Sequence, residues 1–533
     1  MQISPLVPIL TLLAGALLFE LGALVHFRWL GLIMVVATGA ATVAMLLLSR
    51  GLPAVSLVLD WRPVTVFGST ASLRVDETAW SLGVALLLMG FSVTLVWLAV
   101  PRQQSIAAHG LTLAMLAVGL ASLFAANILT LALCWGMLDA LFFLSLLTQG
   151  GSASGRRAQL ALGVNGLATL AMWVVVVLIE QDRVSPYWHL VILPPTARVL
   201  MGLAAALRLG LYPLHIWRPV EPVSQLDRSI LIRLVPAIAG LSLWARLAVI
   251  QGLPEGNVWP TIALVTALMG GVLAWIQSDP RQSLPYLALG YGGMLILTAV
   301  AGKVPAAVLA AGSASWLLGL TALFVGRSWV RGVGGLLWAI PAALGAATLA
   351  GLPMTLGFGS RTALYQAASG GPGWVFILGM VAEVLLIGAM LRRLLMPDAS
   401  PLPAGKFARA GYAAALAVIA APIVIGRWIP SSLTVPATSV AAWVGWGLPL
   451  VLGVALAATA GRLLLLLHLD SWKDVVGPIL RLDWLYSFVL GVARGLARAS
   501  LWLADVLEGD GAFLWMLLIL ALVLLYLRGS LGW

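Results

Sequence analysis

Apolar runs of about 20 residues recur from one end of this chain to the other, each long enough to cross the hydrocarbon core of a bilayer as a helix. Nothing else in the sequence restricts the fold as strongly, because backbone polar groups in lipid are satisfied only within helices or closed barrels. Of the 533 residues, 62% are hydrophobic and only 9% are charged, and the mean hydropathy is +1.05. A soluble domain of this length needs more polar surface than that. The pattern predicts an all-α polytopic membrane protein with about sixteen transmembrane helices, the first near residues 5–25 and the last near 511–528.

The first apolar run has no basic leader and no small-residue cleavage site, and reads as a retained helix. Residues 50–77 are too polar to span and are expected to form an external loop or hairpin. Residues 467–510 alternate apolar and charged positions at helical spacing and predict a short lateral amphipathic helix. Its expected apolar face carries Trp472, Ile479, Leu482, Leu485, Val489 and Leu501, with Arg494 and Arg498 on the polar side. The net charge of +11 is the excess a membrane protein carries on its cytoplasmic loops, and does not point to nucleic acid. With the N-terminus outside, the inner loops hold 17 basic residues and the outer side 8. The positive-inside rule therefore predicts a multi-pass protein of the cell inner membrane, with both termini outside. The single cysteine, Cys134, excludes a disulfide framework and a cysteine-based metal cluster. No phosphate loop, nucleophilic triad or metal-ligand set is visible, so neither a cofactor nor a catalytic centre is expected in this chain.

Two spans are interrupted. "LRLGLYPLHIW" (207–217) breaks the seventh and "LAGLPMTLGFGSR" (349–361) breaks the twelfth, five helices later. An odd number of helices per unit makes the second unit inverted relative to the first. Paired broken helices in inverted repeats are the sequence sign of a mid-membrane translocation site. The expected organisation is N-terminal helices at 1–100, a first repeat at 101–250 and a second at 251–395. Peripheral helices follow at 396–466, then the amphipathic segment at 467–510 and a last span at 511–533.

Several ordered motifs give the chain a resemblance to the antiporter-like subunits of respiratory complex I, membrane-bound hydrogenases and Mrp-type cation/proton antiporters. They are "LRVDETAWSL" (73–82), "NILTLALCW" (127–135), "RLGLYPLHIWRP" with "EPVSQLDRSILIR", "DPRQSLPYLALGYGGMLIL" and "LAGLPMTLGFGSR". The resemblance covers roughly residues 60 to 400, and the lateral segment followed by a last span is most similar to the distal, L-type complex I subunit. Members of this family move protons along membrane-embedded ionisable residues, mostly lysines. By position the seventh-helix lysine falls on Arg208, the eighth-helix lysine on Arg233, and the twelfth-helix lysine or glutamate on Arg361. The fifth-helix glutamate falls on Gly136, with Asp139 three residues on. The tenth-helix histidine falls on Tyr291, and the eleventh-helix lysine falls near the apolar Leu318.

A desolvated lysine can release its proton near neutral pH, whereas guanidinium keeps it. Arginine in those places preserves the charge pattern and removes the carrier. An intramembrane charge is costly unless paired, and the candidate partners are Asp139 for Arg208, Asp227 for Arg233 and Glu383 for Arg361. Two readings stand side by side. The pairs are structural salt bridges between helices, or they belong to an ion pathway of Asp139, Arg208, His215, Asp227, Arg233, Arg361 and Glu383. Glu20 is expected to snorkel or pack against a neighbour, Arg246 to snorkel or pair with Glu255, and Trp135 and Trp217 to serve packing. The resemblance implies a membrane subunit of a complex-I-like assembly, coupled to redox chemistry in other membrane subunits and moving protons or Na+ across the lipid bilayer. The alternatives are a non-translocating structural subunit and a component of an Mrp-type antiporter or inorganic-carbon uptake module.

Overall fold

The computed structural model describes residues 3–27, 29–57, 69–99, 107–148, 152–217, 226–250, 252–254, 256–277, 280–302, 304–326, 333–395, 403, 405–425, 439–466, 477–508 and 516–523. The chain divides into two compact units, Met1–Leu469 and Asp470–Trp533.

The first unit is all-α apart from one hairpin. Helices α1 (Leu6–Leu24) and α2 (Leu30–Leu48) lead into strands β1 (Ala54–Leu57) and β2 (Ser72–Val75). The strands pair antiparallel with Ala54 opposite Val75, so the expected hairpin is present at its base. Then come α3 (Glu77–Ala99), α4 (Ala107–Phe124), α5 (Ile128–Leu147), α6 (Ser152–Gln181), α7 (Pro195–Leu209) and α8 (Leu226–Val249). The second half of the bundle contains α9 (Val258–Ile276), α10 (Leu284–Ala301), α11 (Ala306–Val325), α12 (Val333–Leu349), α13 (Phe358–Ser369) and α14 (Gly373–Leu395). Two peripheral helices complete the unit, α15 (Lys406–Ile425) and α16 (Val440–Leu466).

Among the described residues, twelve helices are long and apolar enough to cross a membrane. The protein is an all-α polytopic membrane protein, and twelve of the sixteen expected spans are matched among the described residues. Four expected spans depart from the rule for separate reasons. The fourth is a shorter apolar helix over His109–Phe124. The seventh stops at Leu209, the twelfth is split into α12 and α13, and most of the last lies outside the described residues.

Helix starts and stops follow local chemistry. Asp76 accepts a hydrogen bond from the Ala79 backbone N–H at 2.8 Å and caps α3. Asn127 does the same for α5 through the Thr130 N–H at 2.7 Å. At the other end, α7 and α12 terminate in the same motif. Gly210 and Gly351 both sit in the left-handed region, at φ 67° and 68°. The next N–H reaches back across the turn in each case, Leu211 to the Ala206 carbonyl at 3.0 Å and Leu352 to the Ala347 carbonyl at 2.9 Å. This six-to-one closure needs a residue without a Cβ penalty at its left-handed position. The Gly-Leu pairs at 210–211 and 351–352 are thus stop signals, and they create the two breaks.

Hydroxyls and indoles absorb the remaining polar groups inside the bundle. Thr38, Thr298 and Thr321 bond the carbonyl one turn back on their own helices. The Nε1–H groups of Trp80, Trp275 and Trp316 donate to carbonyls of Met45, Leu385 and Ala288 on neighbouring helices, at 2.8–2.9 Å. Residues 72–75, 125–128 and 186–188 meet on one face of the molecule. Ala126 N–H bonds the Ser72 carbonyl, Trp188 N–H the Ala126 carbonyl, and Ile128 N–H the Pro186 carbonyl.

The second unit contains α17 (Asp483–Glu508). At 3.6 residues per turn, Trp484, Phe488, Val492, Leu496 and Trp502 share an arc of about 120°. These side chains are exposed within the unit. Arg494, Arg498 and Asp505 lie on the opposite side. The expected apolar face is corrected at one residue, since Leu501 falls with the arginines in a continuous helix. Trp472 and Val489 lie outside the residues whose side chains are described.

Candidate ion-pair sites beside the two broken helices

Arg208 occupies the last turn of α7, two residues before Gly210, and is wholly buried. Its Nη2 donates to Asp139 Oδ1 on α5 at 2.8 Å and to Thr169 Oγ1 on α6 at 2.9 Å. The Thr169 hydroxyl in turn donates to Asp139 Oδ2 at 2.6 Å, closing a three-membered network. The guanidinium carbon lies 4.2 Å from the centre of the Trp135 ring. Trp135 and Asp139 are four residues apart on α5 and so face the same way. One helix thereby supplies both the counter-ion and a cation–π surface. Gly136, the place of the family's fifth-helix glutamate, leaves open space toward Thr169, and Asp139 one turn along supplies the negative charge.

Arg361 lies in the first turn of α13, just beyond the second break. Its Nε is 3.2 Å from Glu383 Oε1 on α14. Nε and Nη2 also donate to the Leu349 carbonyl at 3.3 and 3.2 Å, a backbone group released where α12 ends. Tyr365, four residues on, donates its hydroxyl to Glu383 Oε2. The ring of Tyr291 on α10 lies 5.0 Å from the Arg361 guanidinium carbon. A Cβ at Gly445 on α16 would run into the Tyr365 ring, and Trp446 Nε1 donates to the Gly351 carbonyl at 2.7 Å. Helix α16, outside the repeats, therefore packs on the second break.

The two sites share an arrangement. Each arginine flanks a break, and each stacks on an aromatic from the helix two before its broken span, Trp135 on α5 and Tyr291 on α10. Both carboxylates are nearly inaccessible, at 4% for Asp139 and 1% for Glu383. A buried pair of this kind is strongly destabilised when one partner is removed, because the other charge is stranded.

The remaining residues singled out by sequence are placed as follows. His215 is buried in the turn after the first break, its ring stacked on Tyr212 at 5.2 Å. Arg233 is buried in α8. The side chain of Asp227 lies outside the described residues, as do Glu255 and the Trp217 side chain. The Arg246 guanidinium donates to the carbonyls of Leu123 and Ala125 at the end of α4 and sits 5.1 Å from the Trp188 ring. Glu20 packs against α4, where its carboxylate fills the space that a side chain at Gly110 would need. Sequence reasoning took Trp135 as packing alone and did not single out Thr169 or Tyr365. Four-residue spacing could have suggested Tyr365 from Arg361, but nothing local marks Thr169. Among the described residues no group of three or more His, Cys, Asp or Glu is arranged to hold a metal.

The chain is thus a helical membrane bundle with two glycine-terminated broken spans, each flanked by a buried arginine–carboxylate pair. The family described as NADH:quinone oxidoreductase/Mrp antiporter, TM matches residues 163–386, and over that stretch the chain is similar to antiporter-like subunits. It is 28% identical over 236 residues to the NADH-quinone oxidoreductase subunit N of Desulforudis audaxviator (strain MP104C), covering 38% of this chain and 47% of that protein. The chain spans less than half the length of the curated relatives it matches. Among solved structures it resembles a chain of the Mrp complex from Dietzia sp. DQ12-45-1b, with a TM-score of 0.75 at 19% identity over 99% of this chain and 63% of that one. A chain of the archaeal membrane-bound sulfane sulfur reductase aligns with a TM-score of 0.73 at 17% identity over 98% and 99% of the two chains. At such identities the likeness is one of fold.

Proposed function

We propose that this chain is an ion-translocating membrane subunit of a larger redox-driven or Mrp-like assembly of the inner membrane, and that protons cross it through the two halves of the repeat. One observation carries the reading. A buried carboxylate is held by an arginine beside each broken helix, at Asp139–Arg208 and at Glu383–Arg361. Structural salt bridges have no reason to recur at both breaks of an inverted repeat, whereas a conduction path uses each break once. Guanidinium stays protonated, so the arginines act as fixed positive charges and the carboxylates as the groups that take up and release protons. His215 and Arg233 complete the first half of the path, with Asp227 placed by sequence.

Proton and Na+ flux through vesicles holding the purified assembly tests this. Asp139→Asn and Glu383→Gln should each abolish proton flux in assemblies that still form. Full flux with both carboxylates neutralised would leave the scaffold reading, a subunit that keeps the fold without translocating.

A further inference from the structure

In the first half, Arg208 meets the hydroxyl of Thr169 on α6 directly, at 2.9 Å. The corresponding helix of the second half is α11, one before the broken span, and it carries Ser315 facing the second break. Here the contact is not direct. Between them lies a small cavity of about 10 Å³, lined by Tyr291, Ser315, Ser360 and Arg361 and by the glycines 312 and 357. That volume is about enough for one water molecule.

The polar groups around it match a single guest. Arg361 is 4% exposed, and its Nη1 has no hydrogen-bond partner among the described residues. The Ser360 hydroxyl donates to the Gly357 carbonyl at 2.9 Å, and the Ser315 hydroxyl donates to the Thr348 carbonyl at 2.9 Å. Each serine oxygen therefore retains lone pairs. A water accepting from Arg361 Nη1 and donating to both serine oxygens makes three hydrogen bonds, the usual number for a buried water. The glycines keep the space open. A Cβ at Gly312 would stand 2.9 Å from Ser360 Cβ, and one at Gly357 would stand 2.9 Å from Ser315 Oγ.

We infer that this cavity is a binding site for one water molecule, which joins Arg361 to Ser315 and Ser360 as the Thr169 hydroxyl joins Arg208 to its network. The second part of the inference rests on the proposed function. The water carries the second-half path past Arg361 by a concerted shift. Ser360 Oγ takes up an arriving proton and passes its own to the water, and the water passes one to Ser315 Oγ. Ser315 passes its own to Thr348 Oγ1 at 3.2 Å. Ser360, the water and Ser315 thus each keep their proton count, while guanidinium, which cannot release a proton, stays charged.

The test is a structure of the intact assembly at a resolution that shows ordered waters, for the native chain and for Gly312→Ala and Ser315→Ala, paired with proton flux in vesicles. The native chain should show one density peak within hydrogen-bond distance of Arg361 Nη1, Ser315 Oγ and Ser360 Oγ. Gly312→Ala should remove it, and both variants should lower flux by about tenfold or more, as loss of a positioned proton-transfer group does. No peak in the native chain overturns the site. Native flux in a Gly312→Ala assembly that has lost the peak overturns its place in conduction. An assembly that passes no protons at all contradicts the proposed function, while the density still decides the site.

Discussion

Arg208 gives up every contact with water and regains a carboxylate, a hydroxyl and an indole face. Neutralising one partner leaves the other as a buried charge, which typically costs about 3–5 kcal/mol. Asp139→Asn and Arg208→Met should each lower the melting temperature of the detergent-solubilised protein markedly, or block its insertion. The double change should recover much of that loss, since no stranded charge remains, and thermal denaturation of the three variants side by side checks this. Arg208→Lys asks a different question. It keeps the ion pair and restores a group that can release its proton when desolvated. Proton flux in vesicles should rise, or stay level where other links of the path are limiting. Lower flux with normal assembly would mean that the guanidinium itself takes part in conduction.

At the scale of elements, the two breaks depend on left-handed glycines. Gly351→Ala places a Cβ where φ is +68°, which costs about 1–2 kcal/mol for an L-residue. That Cβ would also meet the Arg361 side chain and the Gly357 carbonyl. The variant should therefore be less stable and should displace Arg361 from Glu383. Gly447→Ala on α16 is the control, because a Cβ there meets nothing within 4 Å. It should be neutral or stabilising by up to about 1 kcal/mol, the helix-propensity gain of alanine over glycine, and the two melting temperatures should diverge accordingly. Helix α17 raises a separate matter. Its apolar arc of Trp484, Phe488, Val492, Leu496 and Trp502 suits either the lipid interface or a neighbouring subunit. A lateral helix in the resembled subunits favours a neighbour. Deleting residues 472–505 should release the chain from its assembly yet leave it in the membrane, and an assembly that purifies intact without the segment would dismiss docking.

For the whole molecule the open property is absolute sidedness. Residues 72–75, 125–128 and 186–188, all expected outside, do share one face, so their relative placement agrees with the charge count. From the basic loops we propose that this face lies outside. Cys134 is buried, which makes single introduced cysteines clean reporters. Ser471→Cys should be labelled only from the cytoplasmic side and Ser530→Cys only from outside. Labelling of residue 471 from outside would overturn the charge count and the inverted-repeat assignment together.

Sequence by itself determined what depends on neighbours along the chain. Apolar runs of bilayer length dictated helices, Gly-Leu at 210–211 and 351–352 dictated where two of them stop, and isolated charges in apolar surroundings identified Arg208, Arg233 and Arg361 as needing partners. The family resemblance implies a carboxylate at the position of Gly136, and helical spacing puts Asp139 on the same face. Tertiary structure alone decided which faces meet. Thr169 completes the Arg208 network from a helix 39 residues earlier in the chain, and Arg246 reaches carbonyls more than 120 residues away. Tyr291 and Trp446 reach the second break from helices that the local pattern around Arg361 does not describe. A period of 3.6 residues fixes which side chains share a face, but not which neighbour that face turns toward. That choice belongs to the packing of the bundle, where each buried polar group must find its partner across a helix gap.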